Sequence, residues 1–355
     1  MRQLMEISES AAIGQIQELL RRPRTFIEEE FSPYFYRYFT RYSNPKRFGG
    51  YLDLCKYLFE VTKSKDATVL DLGCGFGLMG TILGLYGSRE VVGYDLNEEK
   101  IKCFKKLLSH LIPEIKNVKP LLGDSSKIEY PDKHFDVIIA NETLSHVRDM
   151  QESIQEAQRV LKPGGSFLIR DGNNSLFLLG RMRRRAFWRR MERGPVDPSW
   201  LRATDIALPY VAIRQRMILD KFPHMDSLKT DFLSRSTAGM VGEEIFKAVE
   251  EFEKNGKLTQ KSVFRYRNPI TGEYPEREIN PCSLKGMLQK LGFAVSFVPH
   301  FYSESFDSLE AAAKRFLYWM EKYLSVAHLF LSPGFALLGI KRDNVLKGEE
   351  NKNCQ

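Results

Sequence analysis

The stretch VLDLGCGFG at residues 69–77 places the tightest constraint on how this chain folds. An apolar run ends in Asp71 and passes directly into alternating glycines, which are Gly73, Gly75 and Gly77. This order predicts a buried parallel strand followed by a turn that allows close backbone approach, because glycine adopts positive φ and has no Cβ. Residues 78–85 then predict a helix whose N-terminal amides face the same turn. The stretch is therefore typical of the nucleotide-binding end of an α/β sheet.

The dinucleotide fingerprint Gly-x-Gly-x-x-Gly is not met, since Leu78 stands where its third glycine would be. The spacing Gly-x-Gly-x-Gly after an acid instead resembles the first motif of class I S-adenosylmethionine-dependent methyltransferases. Later segments follow in that family's order, namely an acid-ended strand at 91–95, a strand and turn at 119–125, a fourth strand at 135–141, and RVLKPGG at 159–165. The resemblance covers residues 52–171 closely and 282–342 loosely.

The resemblance implies that S-adenosylmethionine is the cofactor. In the family, an acid at the end of the second strand bonds the ribose hydroxyls, and Asp95 matches it. An acid after the third strand bonds the adenine amine, and Asp124 matches that one. Read from the residues alone, Asp95 precedes a helix start at Asn97 and is also a candidate cap, and Gly-Asp-Ser at 123–125 is also good turn chemistry. The expected cofactor-binding residues are Asp71, Gly73, Gly75, Gly77, Asp95, Leu96, Asp124, Ser125 and Asn141.

The expected fold class is α/β, a doubly wound Rossmann-like seven-stranded methyltransferase sheet. In the family the last strand, predicted here at 335–341, inserts antiparallel between the fifth and sixth strands. The expected parts of the chain are an N-terminal helical extension at 1–50, a cofactor-binding domain at 51–172 and 282–342, a substrate-lid insertion at 173–281, and a charged, disordered tail at 343–355. Aromatic residues of the extension either pack on the core or cap the acceptor pocket.

Methyl transfer from a sulfonium is an in-line displacement, so the protein chiefly aligns the acceptor and excludes water. A hydroxyl acceptor also needs a general base within hydrogen-bond reach. The candidate catalytic residues are His146, Asp171 and Glu142, for each of which a supporting or capping role is the alternative. Asn173 and Asn174 are expected to position the acceptor, unless they cap the turn in which they lie.

The insertion contains the densest positive charge of the chain, RMRRRAFWRRMER at 181–193. Its spacing predicts a helix with arginines around one apolar stripe, formed by Leu179, Met182, Ala186 and Met191. Three interpretations stay open, namely a solvated or internally paired face, a site for an anionic acceptor, and contact with an anionic membrane. Nucleic acid ranks last, because no RNA-binding module accompanies the run. The arginines expected to bind substrate are Arg184 and Arg214.

Charge and cysteine content limit the class of protein and the kinds of site that it can contain. The 355 residues carry a net charge of +8 and five scattered cysteines without a Cys-x-x-Cys pair. We therefore expect no metal site and no disulfide framework, and a cytoplasmic location. Residues 1–10 lack the apolar core of a signal peptide, and the apolar stretch 324–340 is too short and broken to span a bilayer. Peripheral membrane contact stays open.

The segment after the fourth strand excludes some classes of methyl acceptor. It reads Asn-Glu-Thr-Leu at 141–144, and not the Asn/Asp-Pro-Pro-Tyr/Phe motif of adenine or glutamine methyltransferases, and it lacks the cysteine of cytosine-5 enzymes. We expect methyl transfer to a small-molecule or glycan acceptor, at an oxygen atom. The alternatives are a membrane-associated lipid or quinone methyltransferase, and a non-catalytic cofactor-binding or scaffold protein. A nicotinamide dehydrogenase is opposed by Leu78.

Overall fold

The computed structural model of the protein describes residues 2–111, 115–195, 208–259, 266–270, 272, 276–300 and 309–343. The chain divides into two compact units. The first unit comprises Met1–Leu144, Asp149–Asn173 and Asn280–Gln355, and the second comprises Ser145–Arg148 and Asn174–Ile279. The expected tail at 343–355 lies outside the described residues except for Asp343.

The first unit contains one seven-stranded sheet. Its strands are β1 (Thr68–Leu72), β2 (Glu90–Asp95), β3 (Val118–Leu122), β4 (Phe135–Asn141), β5 (Leu161–Gly172), β6 (Phe293–Val298) and β7 (Gly334–Lys341). Their order is β3-β2-β1-β4-β5-β7-β6, and β7 runs antiparallel to both of its neighbours. The predicted α/β fold and the predicted insertion of the last strand are therefore confirmed. The carboxyl ends of β1, β2, β4 and β5 meet at one edge, since these strands are parallel.

Helices cover the sheet and precede it. Those of the first unit are α1 (Arg2–Leu20), α2 (Arg24–Glu30), α3 (Pro33–Phe39), α4 (Pro45–Val61), α5 (Leu78–Leu85), α6 (Glu98–Ser109), α7 (Met150–Val160), α12 (Pro281–Lys290) and α13 (Leu309–Tyr323); α8 to α11 belong to the second unit. The Asn97 side chain accepts the Lys100 N–H and caps α6, so the helix starts where the sequence predicts, but the cap is Asn97 and not the candidate Asp95.

The predicted start of the fifth strand differs from the observed one. In the sequence, Lys-Pro-Gly-Gly at 162–165 predicts the end of a helix and a strand that begins at Ser166, because proline and glycine do not continue a helix. Instead β5 begins at Leu161, which pairs with Phe135, and the register of the β4 pairing shifts before it resumes between Val137 and Ser166. Proline and glycine are tolerated there because this irregular stretch omits some of the ladder hydrogen bonds.

The N-terminal helices belong to the same compact unit as the sheet. Their aromatic rings surround Phe76 of the glycine turn, which is 2% exposed. The centroids of four rings lie 5.0–5.6 Å from the Phe76 ring, and these rings are Tyr34, Phe35, Tyr38 and Phe39. At these distances aromatic pairs are attractive, so the N-terminal helices pack against the glycine turn and stabilise it.

The second unit is helical in its described part. Its helices are α8 (Leu178–Arg193), α9 (Tyr210–Lys221), α10 (Ser227–Ser236) and α11 (Glu243–Asn255). Apolar residues of α9, α10 and α11 form its core, among them Ile218, Leu233, Ile245 and Val249. Helix α8 carries the arginine-rich run, and the predicted apolar stripe is only partly right. Met191 of that stripe is buried, but Leu179 and Met182 are about half exposed or more, and the other buried side chains are Trp188 and Glu192.

Among the described residues, no helix is long and apolar enough to cross a membrane. Nor do the residues described group three or more His, Cys, Asp or Glu side chains in a way that could hold a metal ion.

Candidate functional site

The glycine turn between β1 and α5 forms the floor of the candidate site. All three glycines adopt positive φ, +73° at Gly73, +57° at Gly75 and +78° at Gly77. A Cβ at Gly73 would lie 2.2 Å from the Thr143 side chain, and one at Gly77 would lie 2.1 Å from the Phe104 ring. A Cβ at Gly75 would meet no protein atom within 4 Å. Packing therefore requires glycine at positions 73 and 77, where a side chain would clash. At Gly75 the space next to the backbone is open.

Asp71 lies at the end of β1, buried directly before the turn. Burial, and next the nearby Asp95 carboxylate, raise its pKa from 3.8 to about 7, and the Gly80 amide partly offsets this shift. Its Oδ2 has no hydrogen-bond partner within the described part of the chain. A buried carboxylate oxygen without a partner is costly, so it marks a place where a polar or cationic ligand group would be stabilised.

Asp95 ends β2 and faces the same turn. Its Oδ2 accepts the Gly75 N–H at 2.9 Å, and its Oδ1 accepts the Asn97 N–H at 2.9 Å. The Lys100 ammonium lies 3.7 Å from Oδ2. The next residue, Leu96, is 57% exposed. An oriented carboxylate beside an uncovered apolar side chain suits a ligand that combines a ribose with a flat base.

Asp124 and Ser125 follow β3. The Asp124 Oδ1 accepts hydrogen bonds from the Ser126 N–H and the Ser126 hydroxyl, both at 2.8 Å, so one carboxylate oxygen closes the turn. Ser125 shares a 2.8 Å hydrogen bond with the Ser153 hydroxyl of α7. Turn formation at this position, one of the two roles considered for Asp124, is thus observed, and it uses the Oδ1 oxygen of the carboxylate.

A polar cluster occupies the ends of β4 and β5, centred on Arg170. Its Nη1 donates to the Asn141 Oδ1 at 3.1 Å and lies 3.5 Å from the Glu142 carboxylate. Its Nε donates to the His300 carbonyl at 3.3 Å, and its Nη2 contacts the His300 Nε2 at 3.2 Å. The His300 Nδ1 lies 3.1 Å from the Phe335 carbonyl oxygen, which assigns the proton to Nδ1 and leaves Nε2 to accept from Arg170. Burial, and next Arg170, hold the pKa of His300 well below its ordinary value, so the ring is neutral.

Glu142 adopts a strained backbone conformation at this edge. Its φ is +53°, a region that costs a non-glycine residue about 1–2 kcal/mol. Its N–H donates to the Arg170 carbonyl at 2.6 Å, and this bond holds the conformation. Its side chain is 59% exposed. Backbone strain at a residue with an accessible carboxylate is typical of a functional position.

Residues of the N-terminal segment bring further polar groups to Glu142. The Arg41 guanidinium lies 4.8 Å from the ring centroids of both Tyr38 and Tyr42. Glu142 is among the charges that raise the pKa of Arg41, although burial opposes that rise. Burial chiefly raises the pKa of Tyr42 to about 12, so its phenol stays protonated at neutral pH. The Glu142 charge thus acts electrostatically on Arg41 and Tyr42.

Asp171 and Asn173, both expected to serve the acceptor, are buried. Asp171 is 1% exposed, and its Oδ1 accepts the Gly172 N–H at 2.8 Å. Asn173 is fully buried, and its Nδ2 donates to the carbonyls of Leu329 and Ser332. These contacts tie the end of β5 to the segment before β7, which is a structural role.

The remaining candidates lie in the second unit. His146 belongs to the segment 145–148, which Arg277 holds by two hydrogen bonds. The Arg277 backbone N–H donates to the Ser145 carbonyl at 2.8 Å, and its guanidinium donates to the Arg148 carbonyl at 2.9 Å. The Asn174 Nδ2 donates to the Glu276 Oε1 at 2.9 Å.

The two arginines expected to bind substrate are both engaged within the second unit. Arg184 pairs with Glu276 and keeps 25% of its side chain exposed. Arg214 is fully buried, pairs with Glu192, and donates to the Ser234 carbonyl at 2.6 Å. The expectation for Arg214 is therefore wrong, because a guanidinium without accessible surface has no face for a ligand.

Sequence reasoning missed Arg170, His300 and Arg41. Arg170 follows an apolar run in β5, and a charge at such a place is buried only when it is paired. His300 and Arg41 stand in segments without a motif that distinguishes them.

The sheet order, the glycine turn and the acids at the ends of β1 and β2 define an α/β nucleoside-binding domain. Residues 63–194 match the family described as "Methyltransferase domain". The first unit therefore carries a class I S-adenosylmethionine-dependent methyltransferase domain, and S-adenosylmethionine is its cofactor. The orphaned Asp71 oxygen, the open space at Gly75 and the exposed Leu96 fit that cofactor.

Curated relatives match the same region. Phosphoethanolamine N-methyltransferase 3 of Arabidopsis thaliana is 37% identical over 34% of this chain and 24% of its own length. The eEF1A lysine and N-terminal methyltransferase of Mus musculus is 31% identical over 34% of this chain and 18% of its own length. The ubiquinone biosynthesis O-methyltransferase of Coxiella burnetii is 32% identical over 32% of this chain and 47% of its own length. The chain thus spans less than half of each relative, and their names give three different kinds of acceptor.

Proposed function

We propose that this protein transfers the methyl group of S-adenosylmethionine to an oxygen atom of a small-molecule or glycan acceptor. When bound, the cofactor supplies a methyl group already activated on a sulfonium. The tasks left to the protein are to hold the cofactor, align the acceptor, exclude water and accept the hydroxyl proton. In this proposal Asp95 holds the ribose hydroxyls, Leu96 covers the base, and Asp71 faces the cationic end of the cofactor.

The observation that carries the oxygen-acceptor proposal is Glu142. Of the three candidate bases, Asp171 is buried at 1% exposure and His146 lies in the second unit, whereas Glu142 exposes 59% of its side chain at the carboxyl edge of β4. Its left-handed conformation is strained, which favours a functional explanation. The Arg170 guanidinium lies 3.5 Å from the Glu142 carboxylate and can stabilise its charge.

The test uses the purified full chain, methyl-labelled cofactor and metabolite extracts, with mass spectrometry for one added methylene. We expect a labelled product, and we expect Asp95→Ala to weaken cofactor binding at least tenfold. Glu142→Gln should lower kcat at least a hundredfold with little change in cofactor affinity, as expected for loss of a general base. Glu60→Gln, an exposed change on α4, is the matched control. Retained cofactor binding without product in any extract would instead support the non-catalytic alternative.

A second candidate function is methyl transfer to a lipid or quinone at a membrane. It is favoured by exposed apolar side chains in α13 and the segment after it, namely Phe316, Trp319, Tyr323, Phe330 and Leu331. Exposed aromatic clusters of this kind are found at interaction surfaces, including membrane interfaces. The protein should then sediment with anionic vesicles at low salt and be released at high salt. Failure to sediment at low salt would remove this alternative.

We also propose that the second unit acts as a lid that selects the acceptor. Its support is that residues 174–279 belong to a compact unit of their own. Deleting residues 174–279 should abolish acceptor turnover and leave cofactor affinity nearly intact. Loss of cofactor binding by a variant that is still folded would contradict this proposal.

A further inference from the structure

The second unit contains a cavity of about 760 Å³ that lies among α8, α9, α10 and α11. That volume is within the range of pockets that hold small organic ligands. An adjoining cavity of about 440 Å³ shares Arg189 and Tyr266 with it. The residues that line both cavities belong to the second unit, so this site is defined without reference to the methyltransferase domain.

Aromatic rings supply the apolar part of the lining. Phe232 of α10 and Phe252 of α11 have ring centroids 5.5 Å apart, and Phe232 is 51% exposed. Tyr266 stacks on Trp188 of α8, with centroids 5.2 Å apart and an angle of 21° between the planes. The Trp188 indole N–H is held by the Glu276 carbonyl at 2.9 Å, so the stacked pair is fixed in place. A flat apolar ligand would bury ring surface that is now exposed to water.

The charged part of the lining is positive. Arg189 and Arg193 of α8 and Lys257 after α11 line the cavity, and none of them forms an ion pair with a described residue. Glu192, the acidic residue among the described lining, is neutralised by the buried Arg214. Arg235 also lines the cavity and is paired with Asp231 at 2.8 Å. Glu192 also attracts Arg193 electrostatically, so two of these cations, Arg189 and Lys257, have no matching anion in the described chain.

Helix stability accounts for only part of this charge. Cations at a helix C-terminus are favourable, which explains Arg193 at the end of α8. Lys257 directly follows Gly256, the C-cap of α11, so the dipole of that helix favours it in the same way. Arg189 lies a full turn before the end of α8, where the dipole does not require a cation. The cations lie together beside two aromatic pairs. Recognition of a ligand explains this arrangement more simply, because arginine bonds anionic oxygens and stacks on rings.

We infer that this cavity is a binding site for an organic anion with a flat aromatic body, whose anionic group meets Arg189, Arg193 and Lys257 and whose ring contacts Phe232 and Tyr266. The inference goes beyond methyl transfer and holds whether or not that activity is found. Its ligand is recognised by charge and ring together, so neither part alone binds well.

The experiment is calorimetric titration of the full chain with three probes: naphthalene-1-sulfonate, the neutral naphthalene-1-methanol, and inorganic sulfate. We expect one equivalent of the sulfonate to bind at least tenfold more tightly than either of the other probes, and more weakly as salt increases. Equal affinity for the sulfonate and the neutral probe would overturn the inference, as would equal affinity for the sulfonate and inorganic sulfate.

Variants assign the binding to this cavity. Arg193→Gln and Lys257→Gln should each weaken sulfonate binding at least threefold and together at least tenfold, without affecting the neutral probe. Phe232→Asn should weaken both aromatic probes. Arg216→Gln, an exposed change of equal charge on α9 outside the cavity lining, is the matched control. The replaced side chains are exposed, so folding should be unaffected, and thermal unfolding checks this.

The result is separable from the proposed function. Binding of S-adenosylhomocysteine to the same variants reports on the first unit and should be unchanged. Sulfonate affinity that falls no further in the double variant than in Arg216→Gln would place the probe elsewhere and overturn the inference.

Discussion

Gly75 offers a test that separates cofactor binding from folding. Gly75→Ala adds a single methyl group at a residue with φ of +57°, where the Cβ would meet no protein atom within 4 Å. The left-handed conformation costs alanine about 1–2 kcal/mol, and lower entropy of the unfolded chain returns part of this. The net loss in the free energy of unfolding is therefore about 1 kcal/mol, or roughly 2–4 °C in Tm.

Gly164 provides the matched control. Its φ is +73°, its Cβ would also meet nothing within 4 Å, and it lies in the amino-terminal part of β5, away from the carboxyl edge. Gly164→Ala should thus cost the same stability as Gly75→Ala. The two variants should differ in affinity for the cofactor, because only the methyl group at position 75 projects into the space beside the glycine turn that the cofactor needs.

Calorimetric titration with S-adenosylhomocysteine and urea unfolding measure both quantities. We expect Gly75→Ala to bind at least tenfold more weakly than Gly164→Ala, which is about 1.4 kcal/mol, at equal stability. Affinities within twofold of each other would refute the assignment of the cofactor to this turn. A much larger loss of stability for Gly75→Ala would show that its Cβ is not in open space.

Three further predictions concern stability. Gly77→Ala should cost about 3 kcal/mol or more in urea unfolding, because its Cβ would lie 2.1 Å from the Phe104 ring; a cost equal to that of Gly75→Ala would contradict this. The raised pKa of Asp71 means that its contribution to stability is fully present below about pH 4 and is lost as pH rises to about 7, on the order of 4 kcal/mol. Unfolding between pH 5 and 8 should show this fall in the wild type and not in Asp71→Asn, and equal slopes would refute it. Arg214→Ala leaves Glu192 buried without its partner and should destabilise the second unit by about 3–5 kcal/mol, against less than about 0.5 for Arg216→Ala; equal Tm values would contradict the burial argument.

Elements with local signals could be predicted from the sequence. The strand before Gly73, the helix after Gly77 and the helix start at Asn97 depend on residues within one turn of each other, so their patterns are visible in a short window. The start of β5 was misplaced because its pairing with Phe135 is a long-range contact that overrides local proline and glycine preferences. The stripe of α8 was partly misplaced because the pattern of apolar residues does not show which side another helix covers.

The sequence by itself determined that this chain builds a seven-stranded cofactor-binding sheet, because apolar runs, acids and glycines recur in an order that is found in few folds. The tertiary structure alone decided which polar groups form the site. Arg170 and His300 are 130 residues apart in the chain and meet only because β5, β6 and β7 are neighbours in the sheet. The same holds for Arg214, whose burial against Glu192 removed it from the candidate ligands. Charged side chains acquire their roles from partners that are distant in the chain, and no local pattern specifies those partners.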